Sequence, residues 1–239
     1  MGHGEEDGVL DPITEGLIRA VQLILSGDPE VYRITALSVF VSISGTLLSC
    51  VWSVPISAVL ALRNFPGKRS IKGLFNALIG IPTVALGLYL YLLLSRSGPF
   101  GYFQLLYTPY AIIIGQCVLV TPIIVSFTTS ALESVDPELR TLARTLGASS
   151  RQTDAVILRE ARWGAVLAVI AAFNRAFAEL GVAMMLGGNI RNFTRVLTTA
   201  IALQSAMGEI AFSIALSIIL LGIVISLSII VNLARRSPQ

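Results

Sequence analysis

Residues 109–132 read P-Y-A-I-I-I-G-Q-C-V-L-V-T-P-I-I-V-S-F-T-T-S-A-L, twenty-four consecutive positions without a charge. Wound as a helix, a stretch of that length crosses the ~30 Å hydrocarbon core of a bilayer. The run is continuously apolar and shows no alternation, so it reads as a helix and not as a strand of a membrane barrel. Working outward, three more long apolar runs occupy ~34–62, ~73–95 and ~207–233. A fifth, ~163–186, is apolar but carries Asn174, Arg175 and Glu179. Helices are the open-chain structure that satisfies its own backbone in lipid. Pro55, Pro82 and Pro122 each fall inside a run and are expected to kink it or to free carbonyls.

Composition agrees. The chain has 239 residues, of which 54% are hydrophobic and 13% charged, against roughly 25% charged in an ordinary soluble domain. Mean hydropathy is +0.79. This excludes a disordered chain and a typical cytosolic enzyme. Too little sequence remains outside the five runs for a sizeable soluble domain. The formal charge of +3 is unevenly spread, with seven of the fourteen acidic residues before residue 31. Such a split suits membrane topology better than a nucleic-acid surface. Cys50 and Cys117 fall within apolar runs and read as buried apolar side chains. His3 stands alone near the N-terminus, so no metal-ligating set and no catalytic set is expected. Glu5, Glu6 and Asp7 stand where a cleavable signal would carry Lys or Arg, so none is expected.

Residues 1–33 read as an extracytoplasmic tail plus a short helix. Ile13, Leu17, Ala20, Val21, Ile24 and Leu25 form an apolar stripe over 13–25, with Thr14, Glu15, Arg19 and Gln22 off it. That helix is ~20 Å long, too short to span. It is expected to lie in the membrane interface; as a sixth span it would relocate only the N-terminus. Basic residues set the orientation. Arg63, Lys68, Arg69 and Lys72, then Arg140, Arg144, Arg151, Arg159 and Arg162, then Arg235 and Arg236 share one side, which is therefore cytoplasmic. Arg19, Arg33, Arg96, Arg191 and Arg195 lie on the other. Five spans place the N-terminus outside and the tail, 234–239, in the cytoplasm.

Three segments carry candidate function. The first is the polar stretch Asp136–Arg162, too polar for lipid. Leu139, Leu142, Ala143 and Leu146, then Ala155 and Leu158 beyond Gly147, suggest two short helices with Gly147 supplying the positive φ between them. It reads as a solvated loop or as a docking element for a soluble partner. The second is the fifth run. As one helix it places Ala168, Ala172, Arg175, Glu179 and Ala183 on a small-residue stripe, opposite Val166, Ile170, Phe173, Phe177, Leu180 and Met184. Arg175 and Glu179 can pair at i, i+4. An ion inside the membrane is costly unless paired, so the pair marks either a pathway or gate, with Asn174 beside it, or a structural lock. The third is the outer loop 187–195, G-G-N-I-R-N-F-T-R, where Gly188, Asn189, Arg191 and Arg195 offer donors to an anion or a contact to a delivering protein. No phosphate-binding loop of the G-x-x-x-x-G-K-[ST] type occurs, so any ATP hydrolysis belongs to another subunit.

The pattern L-A-R-T-L-G-A-S at 142–149, before the penultimate span, resembles the cytoplasmic motif of binding-protein-dependent ABC importer permeases. That motif runs Glu-Ala-Ala, three residues, Gly, nine residues, Ile-x-Leu-Pro. Thr141, Leu142 and Ala143 hold the triplet, and Gly147 and Ile157 fall at the family spacing. Thr141, Arg159 and Glu160 depart from it. The segments 80–101, 105–116, 175–190 and 194–201 resemble the tungstate and molybdate permeases, the last two most of all the tungstate branch. The resemblance spans about 35–235. It implies an all-α integral membrane protein with a five-span type I permease core. It also implies that Leu142, Ala143, Leu146, Gly147, Ala148 and Ile157 couple to an ATPase cleft. The implied assembly has a second copy of the chain, two ATPase subunits and an extracytoplasmic oxyanion-binding protein, in a prokaryotic plasma membrane, with no cofactor bound by this chain. The implied cargo is an oxyanion, tungstate before molybdate or sulfate. An ion-coupled secondary transporter and a membrane scaffold are the other classes left open. The first needs a coupling-ion site, for which Glu179 is the one carboxylate deep within a span, Glu209 standing at the very start of the last run, and the second has no need of the Gly147 loop.

Overall fold

The computed structural model describes residues 7–236. His3, Glu5 and Glu6, residues 237–239, and the side chains of Ile13, Glu15, Arg235 and Arg236 lie outside the described residues. The described part is helical, without strands. Helix α1 is Asp7–Leu25 and α2 is Pro29–Leu62. Asp28 separates them and starts α2, its carboxylate accepting the N–H groups of Glu30 at 2.9 Å and Val31 at 3.0 Å. Pro29 takes the first helical position, where a missing N–H costs nothing.

α1 packs along the last helix, α11 (Ile210–Arg236). Among its described side-chain positions Gly16 and Ala20 are buried, with Gly16 set against Ile210 and Ile214. From the apolar stripe of the sequence, Leu17, Val21 and Leu25 point outward. Small residues let two backbones approach, while the larger apolar side chains remain free for lipid.

The central helix is α5, Pro109–Glu133, capped by Thr108 and buried along most of its length. α2 packs on it through a seam of small hydroxyl residues. Ser49 Oγ lies 2.9 Å from Thr121 Oγ1, Trp52 Nε1 donates to Thr121 Oγ1 at 3.0 Å, and Ser57 Oγ donates to the Val125 carbonyl at 3.3 Å. Lipid supplies no hydrophobic drive between helices, so close packing and such bonds hold them. Cys117 is buried in α5 and Cys50 half-buried in α2, both free. Pro55 and Pro122 sit within continuous helices, where each lacks the N–H that the carbonyl four residues before it would accept.

Two runs are not single helices. The second divides into α3 (Lys68–Leu78) and α4 (Thr83–Leu94), bent by 101°. Pro82 precedes α4, removes a donor and disfavours helical backbone at Ile81. The fifth divides into α8 (Arg162–Phe177) and α9 (Gly181–Gly187), bent by 58°. Between α5 and α8 lie α6 (Pro137–Thr145) and α7 (Ser150–Glu160); α10 is Leu197–Ala206. Among the described residues three helices, α2, α5 and α11, are long and apolar enough to cross a membrane, and the number reaches five if each bent pair is one span.

Phe173 and Phe177 stack at 5.4 Å within a core of Val31, Ile34, Leu197 and Leu216. The large stripe of the fifth run therefore divides: its phenylalanines are buried, while Val166, Leu180 and Met184 remain exposed. Ser38 joins α2 to α10 by accepting the Leu197 N–H at 2.7 Å. The α2 start, the α4–α5 turn and the 188–196 loop gather at one end of the bundle. The α6–α7 pair occupies the other, where Arg63 at the end of α2 meets Asp154 at 2.7 Å.

Candidate functional sites

The break between α8 and α9 is built around Glu179. Its side chain is 3% exposed, and its Oε2 takes Arg175 Nη1 at 2.5 Å. Its Oε1 accepts the Val182 N–H at 3.1 Å, capping the short helix that follows. The Glu179 carbonyl accepts Thr198 Oγ1 at 2.8 Å, and Gln116 Nε2 of α5 donates to the Ala176 carbonyl at 3.0 Å. A helix end buried in an apolar interior must find partners for its loose N–H and C=O groups. Here one carboxylate, one amide and one hydroxyl supply them.

The i, i+4 pair expected from the spacing is present, but its setting differs. It bridges a helix break and does not lie on one continuous helix, because the Glu179 carboxylate competes for the N–H groups that a continuing helix would use internally. Asn174 is not part of it: its Nδ2 donates to Ser228 Oγ of α11 at 3.1 Å. Ala168, Ala172 and Ala183 are buried, so the small stripe faces the interior on both sides of the break. Gln116 and Thr198 escape a reading of the sequence. Gln116 is the one amide in the uncharged 109–132 run, and that is the signal that marks it.

The outer loop closes on itself and on Glu30. Arg191 Nε and Nη2 grip the Glu30 carboxylate at 3.1 and 2.5 Å, and Arg195 Nη1 reaches it at 3.4 Å. Arg195 Nε also donates to Asn189 Oδ1 at 3.2 Å. Arg191 and Arg195 were expected as open donors; a carboxylate from the start of α2 already engages both. Glu30 beside it holds the Arg191 guanidinium still further above its ordinary range. Gly188 lies against the Tyr107 ring, where a Cβ would approach Cδ1 at 2.7 Å. The loop itself lacks acids, but its acid arrives from 161 residues away in sequence.

At the opposite end, α6 begins at Asp136, whose carboxylate accepts the Glu138 N–H at 2.9 Å. It ends with Gly147 at φ +85°. The Ala148 N–H returns to the Ala143 carbonyl and the Gly147 N–H to the Arg144 carbonyl, both at 3.0 Å. That double closure is the Schellman ending, which asks for left-handed backbone at the glycine. Ser149 and Gln152 then exchange capping bonds to start α7. Leu142 is 55% exposed and Leu146 79%, with Gly147 between α6 and α7 also exposed. Ala143 and Ala148 are half-buried. Ile157 is buried against Leu132 and Ala161, so it anchors α7 and is not offered to a partner. Its spacing from Gly147 matches a motif; its exposure does not match a docking role.

Residues 53–237 match the family described as binding-protein-dependent transport system inner membrane component. This chain belongs to that family. Among its relatives, the tungstate uptake system permease protein TupB of Peptoclostridium acidaminophilum is 38% identical, over 93% of this chain and 97% of that protein. A probable anion ABC transporter permease protein of Haloferax volcanii is 42% identical over 82% of this chain and 86% of its own length. An amino acid ABC transporter crystallised with histidines has the same fold, with a TM-score of 0.68 at 15% identity over 90% of this chain and 97% of that chain. The chain is therefore a multi-pass, all-α permease subunit of ABC-transporter type, and not itself the catalyst. The family match begins inside α2, so Glu30 and its hold on the outer loop lie outside it.

Proposed function

We propose that two copies of this chain form the membrane pathway of an ATP-driven importer of tungstate. The observation that carries this reading is the near full-length similarity to a tungstate uptake permease. Two ATPase subunits dock at the exposed Leu142–Gly147 turn of each copy, and an extracytoplasmic binding protein delivers the anion at the opposite end. Five spans are few for enclosing a path, so a second copy on a two-fold axis completes it. The basic residues gathered at the α6–α7 end support a cytoplasmic placement for it, with the N-terminus outside and the C-terminal tail inside.

The chain breaks no covalent bond. Its contribution is the differential stability of two arrangements of the same helices, biased by nucleotide on the partner. A divalent oxyanion loses strong hydration on entering an apolar path, so donors or water must accompany it throughout. Arg175 is the cation placed within a membrane segment; its half-exposed side chain supports a position at the edge of that path.

The test is reconstitution in liposomes with the ATPase and the binding protein. ATP-dependent tungstate uptake that molybdate and sulfate compete poorly is the expected result. Uptake by the lone chain, driven by an ion gradient, overturns the reading.

A further inference from the structure

A second outer feature stands apart from the Glu30 cluster. Between the end of α4 and the start of α5 lies an open cavity of about 610 Å³. It is lined by Arg96, Ser95, Ser97, Gln104, Tyr91 and Tyr107, among others. No acid lines it, and among the described residues no carboxylate pairs with Arg96. That separates Arg96 from Arg191 and Arg195, whose charge Glu30 already answers.

The walls are built, not incidental. The chain folds back after α4: the Gly98 N–H donates to the Ser95 carbonyl at 2.8 Å and the Phe100 N–H to the Leu93 carbonyl at 3.0 Å. This turn ties down the α4 end and leaves Arg96 exposed beside the cavity. Gln104 at φ +50° and Tyr107 at φ +62° both line it. A bulky non-glycine residue in left-handed backbone is strained and persists where its surroundings hold it. Tyr107 is held by its N–H to the Leu186 carbonyl at 2.9 Å, by an edge contact with Tyr91 at 6.4 Å, and by its packing on Gly188. A hydrogen bond with Tyr91 also pushes the Tyr107 hydroxyl above the usual phenol range.

We propose that this cavity is an outer subsite for a tetrahedral oxyanion, with Arg96 as its cation and the Ser97, Gln104 and tyrosine side chains as neutral donors, while the Ser95 hydroxyl donates to the Leu92 carbonyl at 2.9 Å and shapes the wall. A guanidinium offers paired N–H groups to a tetrahedral anion, and hydroxyl and amide donors complete its hydrogen bonds without adding charge. The subsite rests on the proposed oxyanion function and adds to it a first stop on the permease itself, between release from the binding protein and entry to the path.

The test uses the complex of permease and ATPase in nanodiscs, equilibrium dialysis against sodium tungstate, and elemental analysis of the bound tungsten. Saturable binding is expected, weakened at least tenfold in Arg96→Gln and less in Gln104→Ala, with complex assembly unchanged because Arg96 is exposed and bonds to nothing that holds the fold. Equal binding in Arg96→Gln, or no saturable binding, overturns the subsite. A variant that docks the binding protein poorly yet binds tungstate normally also overturns it, since Arg96 then meets a carboxylate of that protein. Uptake by the wild-type assembly with binding protein is measured in parallel. Tungstate import without binding at Arg96 removes the subsite alone; absence of any oxyanion import removes the function beneath it.

Discussion

The Glu179 carboxylate accepts the backbone N–H of Val182 at 3.1 Å while its other oxygen holds Arg175. One side chain thus ends α8, starts α9 and neutralises an intramembrane arginine. The two partners are unequally buried, at 3% and 38% side-chain exposure, and this sets an order of effects. Arg175→Ala leaves a buried carboxylate uncompensated, which costs about 3 kcal/mol. Glu179→Gln keeps an acceptor for Val182 and is expected to cost about half as much. Thermal unfolding in detergent reads the order, and the reverse order would show that the break does not depend on this ion pair. Uptake measured alongside separates a gate from a lock: loss of transport in a stable Arg175 variant assigns the arginine to the path.

Gln116→Leu removes the donor to the Ala176 carbonyl in the same break. A buried acceptor left without its partner costs about 1–3 kcal/mol. Unfolding is expected to fall by that amount in Gln116→Leu and by less in Gln116→Glu at a pH where the carboxyl is protonated and still donates. An unchanged midpoint in the leucine variant would mean that the loose carbonyl finds another partner.

Gly147→Val places a β-branched residue at φ +85°, with no side chain near enough to clash. The cost is backbone strain of about 1–2 kcal/mol, and the Schellman closure is expected to open. Co-purification with the ATPase should drop and hydrolysis should run without transport. Gly147→Asn, which tolerates left-handed backbone, should retain both. Normal coupling in the valine variant would show that the turn does not depend on its glycine.

Leu146 and Ile157 lie on the same polar stretch and should behave oppositely. Leu146→Asp alters a side chain 79% exposed, so ATPase docking should fail at unchanged stability. Ile157→Ala empties a buried position and should cost about 2–4 kcal/mol before docking is affected. Stability and pull-down measured on both variants distinguish the roles.

At the outer end, Arg195 is 11% exposed and Arg191 66%, although both reach Glu30. An exposed ion pair contributes at most about 1 kcal/mol, and salt weakens it. Arg195→Ala should therefore destabilise the loop more than Arg191→Ala, as read by hydrogen exchange over 188–196. Equal effects would place the loop's stability in its backbone turns instead.

Long uncharged stretches, the excess of apolar residues and the uneven placement of arginines determine a multi-helix membrane protein by themselves, because lipid tolerates no other use of such segments. The Gly147 turn is equally local: the helix ending and its positive φ follow from residues a few positions apart. The tertiary structure alone decides where the runs break and which polar groups are spent. Pro82 breaks its run while Pro55 and Pro122 do not. Glu179 ends a helix only because Gln116 and Thr198 arrive from other helices to satisfy the exposed backbone. Arg191 and Arg195 look free within their loop, yet Glu30 reaches them from the far end of the chain. Spacing along a helix dictates which side chains share a face. Whether a charge there meets lipid, water or an opposite charge depends on segments brought alongside by packing.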